Sequence, residues 1–221
     1  MFAAKLIRET VPPLKSSDKV NRALKWTDEF HLNFLPVTNG MQYLGMISRI
    51  TLLENDKPEK LISDILPELK NVFVYENQHV YDVVKFAALY QSDIIPVLDE
   101  QNQYLGIVTI HDLVDYFAAS KSVYMPGGII TIEIAFSDLQ LSRIAQLIEA
   151  EGAHILSTSI AATTDSQMVE LTIKVDKIDV SRILASFYRL NYNVTGSYNQ
   201  SEFADDMKDR YESLMNYLSI G

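Results

Sequence analysis

Apolar residues recur along the first 125 positions in two rounds of the same order. In the later round a short apolar segment, Asn71-Val72-Phe73-Val74-Tyr75, comes first. Val80, Val83, Val84, Ala87 and Ala88 then recur every three or four residues, which predicts a helix with one apolar face. A strand around Ile94-Ile95-Pro96-Val97-Leu98, a turn, a strand from Tyr104 to Val108 and a helix opening at Thr109 and carrying Leu113, Val114 and Phe117 complete the round. The earlier round shows Val20, Ala23 and Leu24 on its helix and strands Phe34 to Thr38 and Tyr43 to Ile47, with Asn39-Gly40 as the hairpin turn. Glu54 to Lys60, with Pro58 inside it, reads as the polar linker between the rounds.

The two rounds are copies. An offset of 60 residues lays Val20 on Val80, Lys25 on Lys85 and Pro36-Val37 on Pro96-Val97. An offset of 61 then lays Gln42-Tyr43-Leu44-Gly45 on Gln103-Tyr104-Leu105-Gly106, Ser48 on Thr109 and Leu52 on Leu113, so one residue is inserted in the second hairpin turn.

Past Met125-Pro126-Gly127-Gly128 no proline occurs and the pattern changes. Ile129 to Phe136 alternates as a strand does, and Asp138 is placed to cap a helix carrying Leu141, Ile144, Ala145 and Ile148, with Gly152 at its C-terminal end. Strands at His154 to Ala162 and Met168 to Val175, a helix from Ile178 to Leu190 with Ile183, Leu184 and Phe187, and a strand from Tyr192 to Tyr198 follow. That order is βαββαβ, the ferredoxin-like plan. Residues 201 to 219 pattern as an amphipathic helix (Phe203, Met207, Tyr211, Leu214, Met215, Leu218) that needs a surface to dock on, in its own domain or in a second subunit. The expected class is α/β (α+β), with repeats at 1–60 and 61–125, a ferredoxin-like domain at 126–200 and a C-terminal helix at 201–221.

Composition removes several functions. A net charge of −10 without clustered Lys or Arg argues against nucleic acid and against an anionic membrane surface. The absence of cysteine removes disulfides, thiolate nucleophiles and thiolate metal sites. No apolar run reaches the ~20 residues of a membrane span and the N-terminus lacks a signal-peptide core, so a cytoplasmic soluble protein is expected. His31, His79, His111 and His154 are too scattered for a metal centre, and neither a glycine-rich phosphate loop nor a nucleophile elbow is present. No catalytic residue and no catalytic cofactor are expected.

The second copy resembles a cystathionine-β-synthase (CBS) domain. Ile94-Ile95-Pro96-Val97-Leu98-Asp99 is similar to that family's strand ending in Pro-Val, and Leu105-Gly106-Ile107-Val108-Thr109-Ile110-His111-Asp112 to its apolar-Gly-apolar strand followed by Ser/Thr-x-x-Asp. The two copies thus resemble a tandem CBS pair, and residues 127 to 200 an ACT domain, a combination similar to bacterial stand-alone CBS proteins of the acetoin-utilisation type. The resemblance implies a non-catalytic regulatory module that binds an adenosine-containing ligand such as AMP, ATP, adenosine or S-adenosylmethionine. It also implies a homodimer, with a regulated partner protein as a further possibility.

Carried over by position, Asp112 would hold the ribose diol with Thr109 assisting, and Ile94, Ile95 and Pro96 would flank the base beside Val74. Asp93 would bring negative charge towards the cleft, with His111 or Arg49 as counter-charge. In the first copy (Pro36, Ser48, Arg49, Thr51) a threonine stands where the carboxylate belongs, and the site is degenerate. Thr109-x-x-Asp112 is equally a helix capping box, and both roles are compatible. A ligand-free scaffold for assembly is the alternative function.

Overall fold

The computed structural model describes residues 1–8, 11–55, 57, 59–164 and 166–198. The amphipathic helix expected at 201 to 219 and the linker proline Pro58 lie outside the described residues. The chain divides into two compact units, Met1–Phe117 and Ala118–Gly221.

In the first unit the duplication is visible element by element. The first copy runs β1 (Leu14–Lys15), α1 (Val20–Phe30), β2 (Phe34–Asn39), β3 (Gln42–Ser48) and α2 (Arg49–Glu54). The second runs β4 (Val74–Tyr75), α3 (Val80–Tyr90), β5 (Ile94–Leu98), β6 (Tyr104–Thr109) and α4 (Ile110–Ala118). Each copy has a three-stranded sheet, β1-β2-β3 and β4-β5-β6, with a parallel first pair and an antiparallel hairpin. The central strands β2 and β5 hold buried Leu35, Val37, Ile94, Ile95 and Val97, and one continuous core joins the copies.

Equivalent residues meet where the copies join. Gln42 and Gln103 form an antiparallel bridge, and the rings of Tyr43 and Tyr104 stack with centroids 6.4 Å apart. The Tyr43 hydroxyl donates to the Val72 carbonyl at 2.7 Å, and burial pushes that phenol far above its ordinary pKa.

The segments preceding the copies are exchanged. Residues Ala3–Leu6 form a 3-10 turn fastened to the second copy through Ala3 N–H to Gln78 O and Ala4 N–H to Glu76 O, and Arg8 then bridges Ile107 on the free edge of β6. The 3-10 segment Ile62–Glu68 is fastened to the first copy in the same manner, through Ile62 N–H to Asp18 O and Ser63 N–H to Ser16 O, and Lys70 bridges Met46 on β3. Of the apolar segment Asn71 to Tyr75, only Val74–Tyr75 is therefore a strand.

Two helical faces differ from their patterns. On α3, Val80, Val83 and Ala87 are buried, but Val84 and Ala88 are exposed; on α4, Leu113 is buried while Val114 and Phe117 are exposed. The apolar stripe is wider than the strip that the sheet covers.

The second unit opens with a short helix, α5 (Lys121–Tyr124). Then come β7 (Ile129–Ala135), α6 (Leu141–Ala150), β8 (Ile155–Ala162), β9 (Met168–Val175), α7 (Ser181–Arg189) and β10 (Asn193–Tyr198). The sheet order β10-β7-β9-β8, antiparallel throughout, is the ferredoxin-like arrangement. Ile130, Ile132, Leu171 and Ile173 of the central strands pack with Ile144, Ile148, Ile183 and Phe187 of the helices. Asp138 does not cap α6. It lies in a 3-10 turn, Phe136–Asp138, and its carboxylate accepts from Ser137 Oγ, while α6 begins after Gln140 without a side-chain cap. Gly152 ends α6 with a φ of +69°, in the left-handed region where glycine carries no Cβ penalty.

Candidate functional site

The expected site lies where β6 ends and α4 begins. Thr109 Oγ1 accepts from the Asp112 backbone N–H at 3.1 Å, and Asp112 Oδ2 accepts from the Thr109 N–H at 3.0 Å and from the Thr109 hydroxyl at 2.6 Å. This is a reciprocal capping box with aspartate in the position usually held by glutamate. The other carboxylate oxygen, Oδ1, accepts from Arg8 Nε at 2.9 Å. Asp112 is nearly buried, its side chain 9% exposed, whereas that of Arg8 is 61% exposed.

Burial alone would push the Asp112 carboxyl up. The hydrogen bonds from the Thr109 hydroxyl, Arg8 and the Thr109 N–H outweigh it and hold the group below the ordinary carboxylate value. The arrangement is thus an ionised carboxylate at the first turn of a helix, with a hydroxyl and a guanidinium beside it. Such a group accepts hydrogen bonds from a vicinal diol, or from any pair of donors that displaces Arg8.

Arg8 was not among the residues singled out from sequence. Its signal is the repetition of an apolar-basic pair, Ile7-Arg8 and Leu69-Lys70, just before each copy. Its position rests on Gly106: a Cβ there would lie 2.5 Å from Ile7 Cγ2 and 2.9 Å from Arg8 O, and only a residue without a side chain lets the segment lie along β6.

The remaining residues fall into two groups. Val74, Ile94, Ile95 and Pro96 are all buried in the core, so the apolar flank expected for a purine is covered in this structure. Asp93 does not bring charge to Asp112. Its carboxylate turns to the first copy, where Oδ2 accepts from the Asn33 backbone N–H and Oδ1 has no hydrogen-bond partner among the described residues. Burial pushes its carboxyl above the ordinary value, only partly offset by the Asn33 N–H. His111 is 86% exposed and faces Asp115 on its own helix at 3.8 Å, and Arg49 pairs with Asp28 at 3.0 Å, so neither neutralises the site.

In the first copy, Thr51 stands at the position of Asp112. Ser48 Oγ accepts from the Thr51 N–H at 3.0 Å and lies 2.8 Å from Thr51 Oγ1, so the cap persists without a charge. Pro36 is buried, and Lys70, the counterpart of Arg8, places its ammonium 5.2 Å from the centre of the Phe34 ring. Among the described residues no cluster of His, Asp or Glu is arranged to hold a metal, and no helix is long and apolar enough to cross a membrane.

Comparison with known proteins bears on the same segment. The CBS domain family model matches residues 62–119. Among curated proteins, the chain is similar to the magnesium transporter MgtE of Thermus thermophilus, 24% identical over 135 residues that cover 58% of this chain and 30% of that protein. The chain therefore spans less than a third of the length of that relative. Among solved structures it is similar to a CBS domain pair/ACT domain protein from Thermotoga maritima, with 19% identity, a TM-score of 0.48 and coverage of 53% of this chain and 96% of that one. CBSX2, solved in complex with AMP, is 19% identical with a TM-score of 0.45, covering 52% of this chain and 95% of that one. The CBS domain family model thus covers the second copy, and the same order of strands and helices is repeated in the copy before it.

Proposed function

We propose that this protein is a non-catalytic regulatory module that binds an adenosine-containing metabolite at the Thr109–Asp112 helix mouth of its second CBS copy. Occupancy is transmitted as a change in the arrangement of the pair, biased by the ligand's differential affinity for two conformations. The observation that carries this reading is the Asp112 carboxylate: nearly buried, held ionised, and set at the first turn of α4 beside a hydroxyl and an exposed cation. The first copy, with Thr51 in its place, lacks the bidentate acceptor and is the silent site.

The second unit is read as an ACT-like domain that pairs two subunits. Support comes from β8, an edge strand that carries no charged residue and no proline and that pairs, among the described residues, with β9 alone, as a strand that adds to a second copy of itself would. Sedimentation at graded concentration distinguishes monomer, dimer and tetramer.

The sensing role is tested by isothermal titration of AMP, ATP, adenosine and S-adenosylmethionine into the full chain and into Asp112→Ala. Binding of at least one ligand that disappears in the variant is expected, and no heat from any of the four overturns the reading. A ligand-free scaffold is favoured by one observation: Asp112 is already satisfied within the chain and Val74, Ile94, Ile95 and Pro96 are covered. A melting temperature unmoved across the same panel supports that second reading, because a ligand at 100 times its Kd adds ~2.7 kcal/mol.

A further inference from the structure

We infer that Arg8 makes this site select phosphorylated adenosine ligands over neutral or cationic ones, by exchanging Asp112 for the ligand's phosphate. The inference rests on the reading of Asp112 as the ribose-binding group. Among the described residues, Arg8 is the cation in contact with that carboxylate, and Asp115 adds to the negative field around it. A ligand that takes Asp112 with its ribose hydroxyls competes with Arg8 for Oδ1.

A nucleoside offers the released guanidinium nothing, and a sulfonium ligand adds a second positive charge beside it. A 5′-phosphate supplies a replacement anion with the geometry that a guanidinium accepts through two parallel hydrogen bonds.

The backbone allows that exchange without unfastening the segment. Arg8 donates its N–H to Ile107 O at 2.8 Å and accepts from the Ile107 N–H at 3.2 Å, so the main chain stays on β6. The largely exposed side chain is free to swing. Asp93, which the sequence set against a phosphate, is turned to Asn33, so the carboxylate that a phosphate on Arg8 would still face is Asp115. In the first copy, Lys70 lies over Phe34 and Thr51 stands in place of the carboxylate, so no equivalent exchange operates there.

The test is isothermal titration of AMP, adenosine and S-adenosylmethionine into the full chain, Arg8→Gln and Arg8→Lys, with thermal melts to show that the variants fold. In the unaltered protein AMP should bind at least ~10-fold more tightly than adenosine, the ratio expected for one charge-assisted contact. Arg8→Gln should bring the two within ~3-fold of each other while adenosine binds as well as before or better, and Arg8→Lys should restore part of the preference. Equal affinities in the unaltered protein, or a preference that survives Arg8→Gln, overturn the role of Arg8 and leave the adenosine site standing. Absence of binding by all three ligands to all three proteins overturns the site and the role together.

Discussion

Arg8 and Asp112 lie 104 residues apart in the chain, yet Nε and Oδ1 are 2.9 Å apart in the fold. The pair joins the N-terminal segment to the first turn of α4, so its strength reports both on the attachment of that segment and on the state of the candidate site.

Acid should reveal the carboxylate's contribution. The Asp112 carboxyl is held below its ordinary value of 3.8, so the stability it provides is fully present above that value and is lost as pH falls through the lower value in the fold. Asp112→Asn should unfold more readily than the unaltered protein at pH 7, and the two should converge in strong acid. Urea melts at a series of pH values measure this, and a difference that persists undiminished at pH 2 would refute it.

Asp93 should behave in the opposite sense. Its value is raised by burial, so in the fold the neutral form is favoured and the charged form costs stability as pH rises through the raised value. Asp93→Asn places there the residue that the first copy has at Asn33 and keeps an acceptor for the Asn33 N–H. A gain in stability at pH 7 is expected, kept small by solvent screening of a group that is only partly buried. The gain should vanish in acid, and chemical denaturation at pH 7 and pH 3 checks both statements.

Thr109 caps α4 whatever the ligand. Thr109→Ala should lower stability by ~1 kcal/mol, and Thr109→Ser, which keeps the hydroxyl, by much less. Ser48→Ala should have a similar effect on the shorter α2. Equal stability of Thr109→Ala and the unaltered protein would show that the box contributes nothing.

Gly106→Ala should pull the N-terminal segment from β6. The residue sits at a φ of +153°, and the added methyl would meet Ile7 and the Arg8 carbonyl. A loss of more than ~1 kcal/mol is expected, with faster hydrogen exchange at the amides of Arg8 and Ile107. The same substitution at Gly45 should release Leu69 and Lys70 from β3.

Much of the architecture was legible because it repeats. Offsets of 60 and 61 residues located both hairpins and both buried central strands, the Thr109-x-x-Asp112 spacing located a cap, and alternation located the first strand of the ferredoxin-like unit. The bridges of Arg8 to Ile107 and Lys70 to Met46 were not legible, since a one- or two-residue pairing has no period and its partner lies far along the chain. Nor was the orientation of Asp93, which depends on the meeting of two copies and not on its own strand. Val84, Val114 and Phe117 read as core by spacing, but spacing cannot say how wide a strip the sheet covers.

The exchange of leading segments makes each copy dependent on its twin. The edge of β6 is finished by residues that introduce the first copy, and the edge of β3 by residues that introduce the second. Cut between them, the chain would not yield two small proteins but two fragments, each missing a border that the other carries away.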